Sequence, residues 1–170
     1  QVALRMSQPN LASLGCDVRL VAVTGADPQG HRIAHLLGAN MAIDFHQVID
    51  ADRPTTTKTR FRAEGQQVLR FDEEITDPIS TPVRLQLMEN FSAALKQADL
   101  VIISDYAKGC VPPDIIAEIT AATRAAGKMV VADPKLADFK AYAGASLLTP
   151  NLSELRKTGA LSRDALEDIA

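Results

Sequence analysis

Short runs rich in valine and isoleucine alternate along this chain with longer segments of helical periodicity, and this alternation limits the possible folds more than any other feature. Apolar strands separated by amphipathic helices are typical of a parallel sheet flanked by helices. The chain has 170 residues, which is long enough for one hydrophobic core and short for two. The pattern therefore predicts one α/β domain built on a parallel sheet.

The positions of these runs predict the individual elements. Apolar runs predict strands at 18–23, 42–49, 100–103, 129–132 and 147–148. Helical periodicity predicts helices at 29–37, from 81 onwards, from 113 to a stop at Gly127, at 151–157 and at 162–169. We expect Thr81 at the N-cap of its helix, with Pro82 at the first helical position. The run at 100–103 is continuously apolar, which predicts that both faces of that strand are covered.

Residues 55–74 change to a period of two. Threonine and phenylalanine alternate with Lys58, Arg60 and Arg62, and a turn at 63–65 leads into a returning segment that carries Arg70. This pattern predicts a β-hairpin with one cationic face. A surface hairpin with solvated charges and a hairpin that binds an anion are both compatible with the residues alone.

Composition and motif searches exclude several classes of protein. The formal net charge is -3 and no long Lys/Arg cluster compensates for it, so nucleic acid is not an expected partner. Cys16 and Cys110 lack the spacing of a disulfide scaffold or zinc module, and we expect reduced thiols in a cytoplasm. No apolar run approaches roughly 18 residues and no signal peptide is present, so we expect a cytoplasmic protein without a membrane partner.

Polar side chains follow three consecutive predicted strands. They are Asp105 and Lys108, Asp133 and Lys135, and Asn151 and Glu154. Ligands of open α/β sheets bind outside the carboxyl ends of the strands, so we expect these six residues to converge on one crevice. The alternative is that they only populate the loops, and the residues themselves leave both interpretations open.

The segment Asn151-Leu152-Ser153-Glu154 has the form of a capping box, in which the asparagine and the glutamate each bond the backbone of the other. A helix N-terminus with free amides also holds phosphate, and a carboxylate there can orient a hydrated magnesium ion. The two functions are compatible.

Two further patterns are weak. His31 and His35 are spaced for one helix face, but Arg32 stands where a zinc His-Glu-x-x-His motif has its glutamate, so we expect exposed, non-ligating histidines. The segment 24–27 matches a Gly-rich phosphate loop poorly, and we expect a strand-to-helix turn there.

Six segments occur in one order along the chain. They are Val23-Thr24-Gly25-Ala26-Asp27, Thr57-Lys58-Thr59-Arg60, Gln66-Gln67-Val68-Leu69-Arg70-Phe71-Asp72, Ser104-Asp105-Tyr106-Ala107-Lys108-Gly109, Ala132-Asp133-Pro134-Lys135 and Leu148-Thr149-Pro150-Asn151-Leu152-Ser153-Glu154. This ordered set resembles the kinase domain of the bifunctional heptose 7-phosphate kinase and heptose 1-phosphate adenylyltransferase family, which belongs to the ribokinase-like sugar kinases. The likeness runs from about Asn10 to Glu154.

The resemblance implies a ribokinase-like fold and the ATP-dependent phosphorylation of D-glycero-D-manno-heptose 7-phosphate at its anomeric hydroxyl. That reaction lies on the way to ADP-heptose for the lipopolysaccharide core. The cofactors implied are ATP and Mg²⁺. Nucleotide binding is implied for Asn151, Leu152, Ser153 and Glu154, with Glu154 at the metal.

The resemblance also implies that the hairpin at about 55–74 is a lid, which closes over the sugar and pairs with another subunit in a homodimer. Lys58 and Arg60 then become contacts for the phosphate of the substrate, because paired cations suit an anionic ligand. The remaining predicted substrate contacts are Asp105, Lys108, Asp133 and Lys135.

The chain departs from the family in one respect that bears on catalysis. Phosphoryl transfer needs a group to accept the hydroxyl proton and donors for the developing charge. In the family both come from a Gly-x-Gly-Asp segment, which this sequence does not contain. We therefore assign no catalytic residue and expect residues 1–170 to form a partial kinase domain that is inactive alone.

Other segments of the family are also unmatched. Residues 1–9 do not resemble the family's glycine-rich start, and the adenylyltransferase domain is absent from the sequence. We expect such a partial sheet to expose apolar surface. Two alternatives stay open, namely a ribokinase-like kinase for another sugar and an inactive nucleotide-binding or dimerisation module.

Overall fold

The computed structural model describes residues 8–136 and 138–158. The chain forms two compact units, one up to Ala94 and the other from Leu95 onwards. The elements of the first unit are α1 (Gln8–Ser13), β1 (Val18–Gly25), α2 (Pro28–Gly38), β2 (Ile43–Asp50), β3 (Thr57–Ala63), β4 (Gln66–Glu73) and α3 (Thr81–Leu95), whose last residue falls in the second unit. Those of the second are β5 (Leu100–Ser104), α4 (Pro113–Ala125), β6 (Met129–Asp133), a 3-10 helix (Phe139–Tyr142), β7 (Leu147–Leu148) and α5 (Leu152–Lys157).

The first unit is organised around the parallel pair β1 and β2. Their register runs without a break from Val18 opposite Ile43 to Gly25 opposite Asp50. A small hydrophobic core joins the pair to α2, and its buried members are Leu20, Ile33, Leu37 and Ile43. The predicted elements at 18–23, 29–37 and 42–49 are thus confirmed, because residues spaced three to four apart on a helix and two apart on a strand meet in one cluster.

Strands β3 and β4 form the predicted antiparallel hairpin. Glu64 and Gly65 both have positive φ angles, of 50° and 83°, and form the two-residue turn that suits the twist of a hairpin. Every residue from 59 to 71 is exposed. The hairpin is therefore held together by its ladder and by cross-strand side-chain pairs, and not by burial in a core.

Helix α3 begins at Thr81, but its N-cap lies one residue earlier than predicted. The amide of Arg84 donates to the carbonyl of Ser80 over 2.9 Å, so Ser80 occupies the N-cap and Thr81 already lies in the helix. The placement of Thr81 at the N-cap was wrong: serine and threonine both occur at that position, but serine is preferred over threonine. The buried side of the helix consists of Val83, Leu87, Phe91 and Ala94.

The second unit contains three parallel strands in the order β5, β6, β7. Helix α4 packs against β6 and against the 3-10 helix. It buries Ile115, Ile116 and Ile119, while Val130 and Ala132 of β6 are fully buried. The predicted strands at 100–103, 129–132 and 147–148 are confirmed.

The prediction that both faces of β5 are covered was wrong for the part of the chain that the structure describes. Leu100 and Ile102 of β5 share one sheet face with Met129 and Leu147, and these four side chains are 39% to 57% exposed. Ile103, on the opposite face, is buried. An uninterrupted apolar run cannot show which face a helix will cover, because it contains no polar residue to mark the other face.

The predicted helix at 162–169 and residues 1–7 lie outside the described residues. Within 8–136 and 138–158, no helix combines the length and the apolar character needed to cross a membrane.

Candidate functional site at the ends of three parallel strands

The loops that follow β5, β6 and β7 lie at one edge of the parallel sheet. The amide of Asp105 donates to the carbonyl of Asp133 over 3.2 Å, which extends the β5–β6 ladder into the loops. The ammonium of Lys135 forms an ion pair with the Glu154 carboxylate at the start of α5. The structure thus brings together residues that follow all three strands.

Glu154 is fixed by the capping box predicted from the sequence. Its amide donates to Asn151 Oδ1 over 3.0 Å, and the Asn151 amide donates to Glu154 Oε2 over 2.8 Å. The other carboxylate oxygen, Oε1, accepts from Lys135 Nζ. The side chain is buried, so its two oxygens are held in place by partners on both sides.

Lys135 and Glu154 each stabilise the charged form of the other. Burial alone would raise the pKa of the Glu154 carboxyl, but hydrogen bonds from Lys135 and Asn151 outweigh it and hold that pKa below its ordinary value. The hydrogen bond to Glu154 raises the pKa of Lys135. Burial raises the pKa of Asp133, opposed by Lys135 and reinforced by the negative charges of Glu154 and Asp105. The site therefore gathers one ammonium among several carboxylates.

Asp105 is almost completely buried, at 2% exposure, and both of its oxygens are engaged. Oδ1 accepts from the amide of Ala107 over 2.7 Å, and Oδ2 accepts from the Tyr142 hydroxyl over 2.5 Å. The Tyr142 oxygen in turn accepts from the amides of Lys135 and Leu136, over 3.1 Å and 3.2 Å. Asp105 therefore presents almost no surface to a substrate.

Tyr142 was not among the residues predicted from the sequence. It lies in the 3-10 helix between β6 and β7, where neither a strand period nor a helix period marks the chain. The available signal was composition, because the chain contains two tyrosines and no tryptophan. A buried tyrosine usually finds a hydrogen-bond partner for its hydroxyl, so each of the two tyrosines was a candidate anchor.

Lys108 lies half-buried in the loop after β5. The backbone on either side of it is left-handed, with φ of 52° at Ala107 and 73° at Gly109. The Cys110 thiol donates to the Lys108 carbonyl over 3.7 Å, a contact that is long because sulfur is the donor. These features define the path of the loop around the predicted substrate contact.

The two predicted phosphate contacts of the hairpin lie in the first unit. Lys58 Nζ donates to Asp72 Oδ2 over 3.0 Å and to Glu74 Oε2 over 3.1 Å, and the bond to Asp72 is the main reason that the pKa of Lys58 is raised. Arg60 is exposed and faces Arg70 directly across the ladder. Arg70 is paired with Asp72 over 2.8 Å. The cationic face predicted for the hairpin therefore also contains carboxylates.

The segment 24–27 forms the predicted turn between β1 and α2. Asp27 is the N-cap of α2 and accepts from the Gly30 amide over 2.7 Å. It also accepts from the amide and hydroxyl of Thr55, over 2.6 Å and 2.7 Å. A Cβ atom at Gly25 would lie 2.5 Å from the Arg53 carbonyl, so the turn requires glycine.

The two histidines of α2, His31 and His35, are exposed. Their side chains lie on the surface of the helix.

Comparison with known proteins adds to this geometry. The family of pfkB carbohydrate kinases matches residues 9–170. The chain belongs to the pfkB family. The match extends beyond the range of about Asn10 to Glu154 over which the motifs were recognised.

Curated relatives of this pfkB chain include bifunctional proteins. The chain is 38% identical over 160 residues to the bifunctional protein HldE of Paramagnetospirillum magneticum, and the match covers 94% of this chain and 33% of that protein. It is 42% identical over 146 residues to the bifunctional protein HldE of Mesorhizobium japonicum, covering 86% of this chain and 29% of that protein. The chain thus spans about a third of the length of these relatives.

Solved structures show that the fold is that of the ribokinase-like kinases, as predicted. A carbohydrate kinase from Agrobacterium tumefaciens matches with a TM-score of 0.71 at 22% identity, covering 94% of this chain and 52% of that chain. The tetrameric inhibited form of phosphofructokinase-2 from Escherichia coli matches with a TM-score of 0.68 at 18% identity, covering 94% and 53%. A carbohydrate kinase family implies the use of ATP.

Proposed function

We propose that this pfkB chain serves the ATP-dependent phosphorylation of D-glycero-D-manno-heptose 7-phosphate at its anomeric hydroxyl, in ADP-heptose biosynthesis for the lipopolysaccharide core. The observation that carries the proposal is the 38% identity with a bifunctional HldE protein over 94% of the chain. It supports the resemblance found in the six ordered motifs, which are spread over both units of the chain.

Asn151, Leu152, Ser153 and Glu154 are the proposed nucleotide-binding segment, with Mg²⁺ at Glu154. Magnesium prefers oxygen ligands and is usually held by one or two carboxylates together with substrate phosphates and water. The buried Glu154 carboxylate, whose pKa is lowered, and the neighbouring charge of Asp133 supply such oxygens, so the residues present fit the ion. When bound, magnesium neutralises charge on the nucleotide phosphates.

Lys135 is the proposed cation at the reacting phosphates. Its ammonium is held on Glu154 and so lies beside the proposed metal ligand. A positive charge fixed before the substrate arrives requires little reorganisation during phosphoryl transfer. Asp133, Lys108 and Asp105 complete the proposed substrate contacts, and Asp105 acts from a buried position whose oxygens are already bonded.

The hairpin is the proposed lid, with Lys58 and Arg60 as contacts for the 7-phosphate of the sugar. Arg60 lies directly opposite Arg70, and Asp72 already pairs with Arg70, so Arg60 is the cation of this pair that an anion would neutralise. Lys58 is engaged by Asp72 and Glu74, so we assign the larger share of phosphate binding to Arg60.

The other face of the hairpin is the proposed dimer contact. It presents Phe61, Leu69 and Phe71, each more than half exposed, on paired positions of β3 and β4. Exposed apolar patches of this kind mark interaction surfaces. We propose that two hairpins meet through this face in a homodimer.

We also propose a cytoplasmic location. ATP is the proposed phosphoryl donor, and the spacing of Cys16 and Cys110 does not suit a disulfide scaffold, which supports a reducing compartment.

The proposed function is tested by an ATP-dependent assay on the protein at its full natural length. D-glycero-D-manno-heptose 7-phosphate should be converted to a 1,7-bisphosphate, detected by ³¹P NMR as a new anomeric phosphate signal. Fructose 6-phosphate, ribose and adenosine serve as competing acceptors. Faster turnover of any of these would contradict the heptose assignment.

The 170-residue chain alone should show no turnover in this assay, because its sequence contains no Gly-x-Gly-Asp segment. Turnover above that of a mock preparation would overturn the assignment of the base to that segment.

A further inference from the structure

The hydroxyl of Tyr142 uses its full hydrogen-bonding capacity. It donates to Asp105 Oδ2 and accepts from the backbone amides of Lys135 and Leu136. A hydroxyl has one donor and two acceptor positions, so no part of this group is left for another partner. The residue is 2% exposed.

Both ends of this arrangement are rigidly supported. Asp105 is tied to the β5–β6 ladder through its amide and to the turn at Ala107 through Oδ1. The ring of Tyr142 meets Phe139 edge to face, with the ring centres 6.5 Å apart, and its 3-10 helix packs against α4. Burial and the bond to Asp105 raise the pKa of Tyr142 to about 12, so the phenol remains a donor at neutral pH.

The two amides that donate to the Tyr142 hydroxyl are those of Lys135 and Leu136. The ammonium of Lys135 is the group that pairs with Glu154. Lys135 lies two residues beyond the end of β6, and its side chain is a long, flexible stem. The position of its ammonium therefore depends on how firmly the backbone at Lys135 and Leu136 is fixed. In the described structure, that fixation comes from the phenol oxygen of Tyr142.

We propose that Tyr142 is a positioning residue, whose hydroxyl anchors the loop after β6 to the buried Asp105 and thereby sets where the Lys135 ammonium lies beside Glu154. The Tyr142 hydroxyl links the loop after β5 to the loop after β6. The Lys135–Glu154 pair in turn links the loop after β6 to α5. The inference rests on the proposed function in one respect, namely that Lys135 and Glu154 act on the nucleotide and its metal.

The first measurement concerns the loop itself and needs no ligand. Tyr142→Phe keeps the ring and removes the hydroxyl, so the amides of Lys135 and Leu136 should exchange hydrogen with solvent about tenfold faster or more, as measured by NMR. Phe139→Leu is the matched control, because it weakens packing on the Tyr142 ring and leaves the hydrogen bonds intact. It should lower Tm and leave the two exchange rates nearly unchanged.

The second measurement is a double-mutant cycle on Mg·ADP binding, by calorimetry well below Tm, in the protein at its full natural length. Tyr142→Phe should weaken binding about tenfold, as loss of a supporting hydrogen bond behind a binding group commonly does. In a Lys135→Met background, the same change should alter binding by less than about twofold, because Tyr142 acts through Lys135. Phe139→Leu should leave the Mg·ADP affinity unchanged.

Two results would overturn the proposal: unchanged amide exchange in Tyr142→Phe, or effects of Tyr142→Phe and Lys135→Met that multiply independently. The first means that the phenol does not hold the loop, and the second means that its contribution is to general stability. A wild-type protein that fails to bind Mg·ADP contradicts the proposed function, while amide exchange still decides whether Tyr142 holds the loop.

Discussion

Lys58 on the hairpin and Lys135 at the strand ends were both predicted to meet an anionic substrate, and both are paired with carboxylates. The two ion pairs differ in the contacts that support them. Lys135 leaves a backbone anchored by a buried tyrosine and meets a glutamate fixed by a capping box. Lys58 and its partner Asp72 are partly buried, but the hairpin residues between them, 59 to 71, are all exposed, and Asp72 is shared with Arg70.

From this difference we expect the two ion pairs to serve different purposes. A pair supported by buried hydrogen bonds holds a charge in one place before a ligand arrives, which favours chemistry. The side chains of Lys58, Asp72 and Glu74 keep 20% to 27% exposure, and ion pairs that solvent can reach contribute modest stability and can exchange partners, which favours a binding surface that adapts. We expect the strand-end region to govern nucleotide binding and the hairpin to govern the sugar phosphate and the dimer.

The largest effect should follow from Glu154→Gln, which removes the proposed metal ligand and leaves Lys135 without its carboxylate. Mg·ADP affinity should fall about a hundredfold, or roughly 2.7 kcal/mol. Glu73→Gln is the hairpin control, because Glu73 is exposed and its contact with Thr57 is long, at 3.4 Å. Equal effects of the two changes in a calorimetric titration would remove the distinction between the regions.

Asp105→Ala should lower the free energy of unfolding by about 2–3 kcal/mol, because the buried Tyr142 hydroxyl and Ala107 amide lose their acceptor. Asp72→Ala on the hairpin should lower it by less than Asp105→Ala does, because the side chains of Lys58, Asp72 and Glu74 are only partly buried, at 20% to 27% exposure, and solvent screens their ion pairs. Urea denaturation of both variants measures the difference. A larger loss for Asp72→Ala would show that the hairpin is the better supported region.

Leu69→Asp should weaken the proposed homodimer by about 2 kcal/mol, because it places a charge in the apolar face of the hairpin. Leu147→Asp is the control from the exposed sheet face of the second unit, where the side chain is 53% exposed. Analytical ultracentrifugation should show dissociation for the first variant only. Dissociation of the Leu147→Asp variant alone would instead assign the dimer contact to the exposed sheet face of the second unit.

Arg60→Met should raise the KM for the sugar phosphate about tenfold and leave kcat nearly unchanged, as expected when a ground-state contact is removed. Arg62→Met is the control, since Arg62 lies on the same strand beyond the register shift that follows Phe61. The KM for ATP should not change in either variant. A fall in kcat with an unchanged KM would place Arg60 in the transition state instead of the binding step.

The smallest expected effect is on the free energy of unfolding at acidic pH. The pKa of Glu154 is lowered on folding, so its stabilising contribution is present above its ordinary value of 4.5 and is lost as the pH falls through the lower, folded value. Asp133 has a raised pKa and acts with the opposite sign, since its contribution is lost as pH rises through the folded value. Glu154→Gln should flatten the fall in unfolding free energy below pH 5, and an unchanged acid slope would contradict this.

Much of the fold was predictable because its signals are local. The hairpin was evident from a period of two around Gly65, and the capping box from residues three positions apart. The coverage of β5 was predicted wrongly, since an apolar run carries no mark of which face stays open. The N-cap of α3 was one residue off, because Ser80 and Thr81 are neighbours and both residue types occur at N-caps.

The location of the candidate site could be predicted from the sequence, but its hydrogen-bond network could not. Parallel strands bring their carboxyl ends to one edge of the sheet, so the convergence of Asp133, Lys135 and Glu154 followed from their positions after the strands. The engagement of both Asp105 oxygens did not follow, because one of their partners is a tyrosine from a segment without periodicity.

The sequence by itself determined the strands, the hairpin, the capping box and membership of the pfkB family, because each depends on residue types at short spacings or on motifs in a fixed order. Only the tertiary structure decided which lysine meets which carboxylate and which side chain holds the loop after β6. Lys135 and Glu154 are 19 residues apart, and Asp105 and Tyr142 are 37 apart. Contacts at such separations depend on sheet register and on the packing of α4, which no local pattern encodes.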